Sequence, residues 1–265
     1  MKQTHRPLSE QDTDALAAQA VTVAAGSRHP DIVLLCEHGG CSVPSPWQNL
    51  GLPQVFFETH FGCDLGAAGL TSAVGAKIGA TSIIAHYSRL FLDYNRKRSD
   101  PDCRRIEIGG IPIPGNIDLT EEEVGLRETI ARTPVEAAIA QWTEHRRARA
   151  VISIHSFSPY WNNARRECEI GVMWRQDERL APRLIEALAG NGEYIVRSNE
   201  PYDFRTNDWF TLQRHGFEIG VPCAYIEVRN DLIDASGSMA SHLAEAIADA
   251  LRIPDSAAAQ SDRLA

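Results

Sequence analysis

The chain reads RAVISIH at residues 149–155, a short apolar run that ends on a histidine. Its length and its β-branched residues are typical of a buried strand. Similar runs are DIVLLCEH at 31–38, TSIIAHY at 81–87, EIGVMW at 169–174 and CAYIEVR at 223–229. Helical patterns lie between them, at 65–78, 120–146, 180–189, 208–215 and 238–251. Strands that alternate with helices predict an α/β sandwich with a largely parallel or mixed sheet.

The remaining segments are less regular. We expect residues 1–29 to form a loosely ordered lead-in with one short helix at about 14–24, and residues 254–265 to fray. The run FLDYNR at 91–96 is predicted to be a further strand or a strand end. No internal repeat and no linker interrupts the pattern, so we predict a single domain over residues 1–265.

Composition excludes several classes of protein. No apolar run approaches the ~20 residues of a membrane span. The net charge is −9 and no long basic cluster occurs, which argues against a nucleic-acid partner. The first 30 residues lack an apolar signal core, so we expect a cytoplasmic protein. The six cysteines form no C-x-x-C pair, and in a reducing cytoplasm we expect no disulfides.

Titratable residues stand at the ends of four apolar runs. Glu37 and His38 follow the first run, Asp93 lies near the end of the third, and His155 and Glu227 end two others. In a doubly wound sheet the carboxyl ends of the strands converge on one cleft. A charge buried there is costly unless it is paired or bound to a metal. The pattern therefore places the chemistry at this edge of the sheet.

His38 and His155 are candidate metal ligands, because neutral imidazole is the commonest ligand of zinc. Two unrelated histidines with local hydrogen bonds are an equally good interpretation of the residues alone. Glu227 is a candidate general base whose pKa apolar neighbours would raise. The alternative is a buried salt bridge with Arg229, since residues two apart on a strand share a face.

Arg89, Asn95 and Arg96 are candidates for binding a carboxylate, because the arginine fork can donate two parallel hydrogen bonds to one. The alternative is a surface cluster in which the arginines pair with the aspartates at 93, 100 and 102. Asp64 precedes the helix predicted at 65–78 and is either its N-cap or a third metal ligand.

Three further residues have weaker signals. Tyr202, in NEPY at 199–202, could donate a hydrogen bond over the site, and a plain turn is the alternative. His215 is predicted to be a cation at a helix end. Arg166 is predicted to be solvated. Signatures of other hydrolases and of nucleotide-binding proteins are missing from the sequence: G-x-S-x-G, the P-loop, G-x-G-x-x-G after a strand and H-E-x-x-H.

Seven short motifs together resemble the N-formylglutamate amidohydrolase family. They occur in the order EHGG (37–40), DLGA (64–67), SRL (88–90), DYNR (93–96), IHSFSP (154–159), NEPY (199–202) and IEVR (226–229). The resemblance covers roughly residues 31–235, and the ordered set is far more specific than any one piece. IHSF, DYNR and EVR are also similar to segments of the zinc carboxypeptidases, a more distant relation.

The resemblance implies a fold, a reaction and a site. The fold is a three-layer α/β/α sandwich with a mixed, mostly parallel sheet, as in the zinc carboxypeptidases and the phosphorylase/hydrolase-like proteins. The reaction is zinc-dependent hydrolysis of N-formyl-L-glutamate, or a similar small anionic N-acyl amino acid, to formate and glutamate, a step of histidine degradation. Zinc binds His38 and His155, Glu227 is the base, and Asn95 and Arg96 hold the substrate carboxylate.

One position departs from the carboxypeptidase pattern. Those enzymes take a glutamate ligand three residues after the first histidine, and here that residue is Cys41. We therefore predict Asp64 as the third ligand, with Glu37 and Cys41 as the alternatives.

Overall fold

The computed structural model of the protein describes residues 8–190, 192–206 and 210–253. The helices are α1 Glu10–Ala17, α2 Ala67–Ile78, α3 Glu121–Arg127, α4 Thr133–Ala140, α5 Ala181–Ala189, α6 Phe210–His215 and α7 Ser238–Ala250. The strands are β1 Val21–Ala24, β2 His29–Cys36, β3 Ala80–Ala85, β4 Glu107–Ile108, β5 Ile111–Pro112, β6 Ala150–Phe157, β7 Tyr160–Trp161, β8 Ala164–Arg165, β9 Ile170–Met173, β10 Val196–Ser198 and β11 Cys223–Arg229.

Seven strands form the central sheet, in the order β1-β3-β2-β6-β11-β9-β10. Strands β3, β2, β6 and β11 are parallel neighbours. Strand β1 pairs antiparallel with β3, β9 pairs antiparallel with β11, and β10 pairs parallel with β9. Helices α2, α5 and α7 pack on one face, while α4 and α6 pack on the other. The three-layer α/β/α sandwich with a mixed, mostly parallel sheet is confirmed.

The central strands are buried on both faces because successive side chains point to opposite layers. On β6, Val151 joins the core beneath α4, whereas Ile152 and Ile154 join the core beneath α2 and α7. Ser153 and His155 alternate with these isoleucines and so leave the sheet on the α4 side. β6 runs on to Phe157, so His155 lies within the strand and not after it.

The helical pattern at 120–146 is confirmed in the form of consecutive helical turns from α3 to His145. Thr120 begins it with a capping box: its hydroxyl accepts from the Glu123 amide, and the Glu123 carboxylate accepts from the Thr120 amide. None of the helices in the described ranges is both long and apolar enough to cross a membrane.

The prediction for the amino-terminal segment was wrong in its details. The helix begins earlier than expected, because Ser9 and Asp12 form a capping box at Glu10. The β-branched residues from Val21 onward form strand β1, which pairs antiparallel with β3 at the sheet edge. Residues 1–7 and 254–265, and residues 208–209 of the helix predicted at 208–215, lie outside the described residues.

The strand predicted at 91–96 was also wrong, because this segment is a series of turns. Its backbone groups find partners without a neighbouring strand. The Asp93 amide donates to the Cys103 carbonyl at 2.8 Å. The buried guanidinium of Arg132 donates to the carbonyls of Asp93 and Tyr94, each at 3.0 Å. Tertiary hydrogen bonds therefore replace the sheet ladder here.

Candidate active site

Three buried side chains meet at the carboxyl ends of the parallel strands. His38 follows β2, His155 lies near the end of β6, and Asp64 lies in the loop before α2. One potential ligand atom from each lies within 4.8 Å of the others. The Asp64 Oδ2 atom is 2.6 Å from His155 Nδ1 and 3.6 Å from His38 Nδ1. The structure thus brings together the three residues that we predicted as metal ligands.

Each histidine meets a second carboxylate at its outer ring nitrogen. His38 Nε2 lies 2.7 Å from Asp93 Oδ1, and His155 Nε2 lies 3.2 Å from Glu37 Oε2. The Ser153 hydroxyl donates to the same Glu37 oxygen. Carboxylates in this position orient a ligand histidine and increase its basicity. Glu37 therefore lies behind His155, whereas Asp64 faces both Nδ1 atoms.

Charge and burial compete throughout this cluster. Burial opposes ionisation of Asp93, but the charges of Arg89 and His38 outweigh it and hold its pKa well below the usual range. Burial likewise disfavours the charged form of His155, but hydrogen bonds with Asp64 and Glu37 raise its pKa well above the usual value. The carboxylates around the two rings are thus ionised and favour a cation between them.

The donor set fits a divalent metal ion. Two imidazoles and one carboxylate are a common catalytic zinc set that leaves a position open for water or substrate. The His38 Nδ1 atom is buried and has no hydrogen-bond partner within the described ranges. A buried polar atom is costly in that state, and a bound cation would satisfy it. Asp64 does not act as the helix cap, because the N-cap of α2 is Gly66.

A disulfide joins the two loops that carry His38 and Asp64. Cys41 lies three residues after His38, and it is bonded to Cys63, the residue before Asp64. The expectation of no disulfides was therefore wrong, since loops 22 residues apart in sequence are brought together by packing. Cys41 is also excluded as a metal ligand, because its sulfur is in this bond. The Asp64 amide donates to the His38 carbonyl at 2.9 Å and adds a second link.

Gly40, the second residue after His38, lies where steric contact excludes any side chain. A Cβ atom on Gly40 would lie 1.8 Å from the backbone oxygen of His86. No side chain can be accommodated at that distance, so the loop packs against β3 only because glycine occupies this position.

Glu227 lies on β11 in register with His155 on β6. Its side chain is buried, and the Oε2 atom has no hydrogen-bond partner in the part of the chain that the structure describes. Burial raises the pKa of Glu227 to about 7, although the charge of His155 opposes the shift. The alternative salt bridge was wrong, because Arg229 instead pairs with Glu169 and Asp231.

The predicted carboxylate-binding residues line the same cleft, but they have partners within the protein. Arg89 Nη2 lies 2.9 Å from Asp93, and Arg96 Nη1 lies 2.9 Å from Asp100. The alternative of aspartate pairing is therefore observed. The Asn95 Oδ1 atom accepts hydrogen bonds from the Tyr225 hydroxyl at 2.7 Å and from a backbone amide of α6.

The cleft has a volume of about 720 Å³. Tyr202, which is 40% exposed, and Trp161, which is 56% exposed, both line it. Asn199 fixes the segment before Tyr202, because its Oδ1 atom accepts from the Trp174 amide at 3.0 Å. The Glu200–Pro201 peptide bond in this segment is cis. All the predicted site residues thus line one cleft: His38, Asp64, Arg89, Asn95, Arg96, His155, Tyr202 and Glu227.

Comparison with known families agrees with this arrangement. The family described as N-formylglutamate amidohydrolase matches residues 31–234, a range that includes every residue of the cluster. The chain belongs to the N-formylglutamate amidohydrolase family. Membership makes it a hydrolase of amide bonds, and the predicted resemblance is confirmed. A comparison with curated proteins found no match.

Solved structures include relatives of this N-formylglutamate amidohydrolase family member. A gene product from Agrobacterium tumefaciens is 31% identical, with 93% of this chain and 98% of that chain aligned at a TM-score of 0.83. N-formylglutamate amidohydrolase from Ralstonia eutropha JMP134 is 20% identical, with 93% and 100% aligned at a TM-score of 0.64. The cell shape determinant Csd4 from Helicobacter pylori is 13% identical, with 88% and 55% aligned at a TM-score of 0.50, and shares the fold.

Sequence reasoning missed several residues of this family member's site. Ser153 supports Glu37, and Tyr225 positions Asn95. Asp93 was predicted to lie at this edge of the sheet, but its contact with His38 was not predicted. Ser153 could have been found, because it lies two residues before His155 and so shares its face of the strand. His215 lies at the end of α6, as predicted, but the predicted positive charge is disfavoured there because burial lowers its pKa to about 4.

Proposed function

We propose that this protein is a single-domain, zinc-dependent deformylase of N-formyl-L-glutamate or a similar N-acyl acidic amino acid. The observation that carries the proposal is the His38, Asp64 and His155 cluster, with Glu227 in register beside His155. Membership of the amidohydrolase family agrees with cleavage of an amide bond.

The proposed reaction divides the work between a metal and the protein. His38, Asp64 and His155 would hold a zinc ion, which would polarise the substrate carbonyl as a Lewis acid and lower the pKa of a water molecule. Glu227 accepts a proton from the attacking water at its unpaired Oε2 atom. As the water oxygen bonds to the formyl carbon, Glu227 passes that proton to the amide nitrogen and the carbon–nitrogen bond breaks. The second proton of the water passes to the released amine, so the products are formate and glutamate. A pKa near 7 suits a group that must take up and return a proton at neutral pH.

Binding of the substrate carboxylate is assigned to Arg96 and Asn95, assisted by Arg89 and Tyr202. The Asn95 amide nitrogen has no partner among the described residues and can donate to a carboxylate, while its oxygen is held by Tyr225. Arg96 is half-buried and can share its fork between Asp100 and a ligand. Tyr202 lies at the mouth of the cleft with its ring partly exposed.

Metal removal combined with an activity assay tests the proposal. Protein treated with a chelator should lose hydrolysis of N-formyl-L-glutamate, and added zinc should restore it. The double variant His38→Ala, His155→Ala should bind no stoichiometric zinc. Unchanged zinc content in that variant would exclude this metal site, and activity that survives complete metal removal would exclude the mechanism.

A larger amide substrate is the second candidate. The cleft volume lies in the range of sites for drug-sized ligands, which is more than a formylated amino acid needs. Exposed Trp161 and Tyr202 at its mouth could pack against an extended peptide or a cell-wall fragment. A panel of N-acyl amino acids and short peptides compares the two substrate classes by kcat/KM.

Two further points belong to the proposal. A non-catalytic carboxylate-binding protein would not need a buried glutamate with a raised pKa beside the metal ligands, and a rate measurement on zinc-loaded protein separates that alternative. A cytoplasmic location and a place in histidine degradation stay predictions. The Cys41–Cys63 disulfide stands against the first of these, because disulfides are rare in a reducing cytoplasm.

A further inference from the structure

Four arginines line the cleft, and three of them are paired with carboxylates of the protein. The pairs are Arg89 with Asp93 at 2.9 Å, Arg96 with Asp100 at 2.9 Å and Arg105 with Asp102 at 2.8 Å. An arginine that already shares its charge has less to offer a ligand. The part of the cleft wall formed by Arg89, Arg96 and Arg105 therefore has little net positive charge with which to attract a substrate that carries two carboxylates.

Arg166 is the fourth arginine, and its surroundings are different. Within the described ranges no carboxylate lies at ion-pair distance from it. Its guanidinium carbon instead lies 5.2 Å from the ring centre of Phe157, 5.3 Å from that of Trp161 and 5.6 Å from that of Tyr202. Aromatic rings hold a guanidinium without neutralising it. The Arg166 guanidinium also forms a hydrogen bond with the Tyr202 side chain, and its planar fork has further N–H donors for a ligand.

The backbone of Arg166 is fixed from two sides. Its amide donates to the Pro159 carbonyl at 2.9 Å, and its carbonyl accepts from Arg229 Nη1 at 3.0 Å. Arg229 is itself buried and paired with Glu169 and Asp231. An arginine held in place before the ligand arrives loses less conformational freedom on binding.

Arg166 and Arg89 act on the same part of the cleft. His60 lines the cleft, and after burial the charges of these two arginines are the main causes that lower its pKa. The charge of Asp64 opposes these two arginines at His60, so the pair acts on this part of the cleft against one nearby carboxylate.

We propose that Arg166 binds the side-chain carboxylate of an N-acyl acidic amino acid, while the Asn95 and Arg96 wall holds the α-carboxylate. The proposal rests on the proposed function and names the residue that selects an acidic side chain. Arg166 is a specificity-determining residue, because it contacts the substrate away from the amide bond that is cleaved.

Steady-state kinetics of the zinc-loaded full chain on N-formyl-L-glutamate and N-formyl-L-glutamine test this role. The two compounds differ in one carboxylate. The variant Arg166→Gln should raise KM for N-formyl-L-glutamate roughly 10- to 100-fold, the effect of losing a charge-assisted hydrogen-bonded pair, with little change in kcat. KM for N-formyl-L-glutamine should not change. Arg166→Lys should keep part of the preference, because it retains the charge but not the planar fork.

Arg165→Gln is the matched control. The Arg165 side chain is 61% exposed and lies 3.7 Å from Asp231, outside the cleft lining. This variant should leave both KM values unchanged. Equal losses on both substrates in Arg166→Gln, or no loss on either, would overturn the proposal, and thermal melting of each variant confirms that it is folded.

Calorimetric binding separates this proposal from the proposed function. If the wild type hydrolyses neither compound, the deformylase assignment fails, and binding of both compounds to the same variants is measured instead. Weaker binding of N-formyl-L-glutamate alone in Arg166→Gln supports the carboxylate subsite. Equal affinity of the wild type for the two compounds, or no binding of either, overturns it.

Discussion

His155 and Glu227 are register partners on the adjacent parallel strands β6 and β11. Side chains at equivalent positions of neighbouring strands leave the same face of a sheet, so the proposed ligand and the proposed base lie side by side. Ile154 and Ile226, one residue earlier on each strand, point into the opposite core. The relative position of His155 and Glu227 is therefore set by the sheet register and not by a flexible loop.

Replacement of this glutamate should separate catalysis from metal binding. Glu227→Gln removes the proton acceptor but retains the size of the side chain. We expect kcat to fall by about 10²- to 10⁴-fold with an unchanged zinc content. Stopped assays on N-formyl-L-glutamate with parallel metal analysis measure both. Glu245→Gln, on the exposed side of α7, is the control, and full activity in Glu227→Gln would exclude the proposed base.

The carboxylates behind the histidines should control metal affinity. Asp93→Asn and Glu37→Gln each remove the ionised partner of one outer ring nitrogen. Zinc affinity should fall roughly 10- to 100-fold in either variant, measured by competition with a chromophoric chelator. Asp100→Asn is the control, because Asp100 pairs with Arg96. An unchanged affinity in both test variants would contradict the assigned role.

The disulfide should stabilise the fold, and a count of reactive thiols shows whether it is formed. Unfolded protein without reductant should show four reactive thiols from Cys36, Cys103, Cys168 and Cys223, and six after reduction. A reductant should lower the free energy of unfolding by about 2–4 kcal/mol, since the crosslink restricts the unfolded chain. The double variant Cys41→Ser, Cys63→Ser should show no such loss. Six reactive thiols before reduction would show that the bond is not formed.

Buried His215 should make stability depend on pH. Its pKa is about 4 in the folded state against 6.5 for a free side chain, so between these values the unfolded chain binds more protons. The contribution of neutral His215 to the free energy of unfolding is fully present above pH 6.5. It is lost as the pH falls towards 4, by about 3 kcal/mol in total.

Urea unfolding across this pH range measures the effect. His215→Phe should reduce the dependence, because phenylalanine takes up no proton, and neither ring nitrogen has a hydrogen-bond partner among the described residues. His145→Gln, at an exposed position, should leave the dependence unchanged. An equally steep dependence in His215→Phe would contradict the assignment.

The strands and helices were largely predictable because their patterns are local. The apolar runs at 31–36, 149–154 and 223–228 became β2, β6 and β11, and the capping box at Thr120 marked the start of α3. The start of α1 was misplaced although its Ser9–Asp12 capping box is a local signal, whereas the strand predicted at 91–96 failed because tertiary contacts decide its backbone. The run at 91–96 has strand-like composition. Its carbonyl groups at Asp93 and Tyr94 instead accept hydrogen bonds from Arg132, which lies in a helical segment some 40 residues later.

The sequence by itself determined the fold class and the kinds of residue that meet at the strand ends. Local periodicity fixes each strand and the residues that follow it, and short ordered motifs identify the family. Only the tertiary structure decided which partner each of these residues takes. It placed Glu37 behind His155, joined Cys41 to Cys63, and left Arg166 without a carboxylate among the described residues. Those outcomes depend on distances between segments far apart in the chain, which no local pattern encodes.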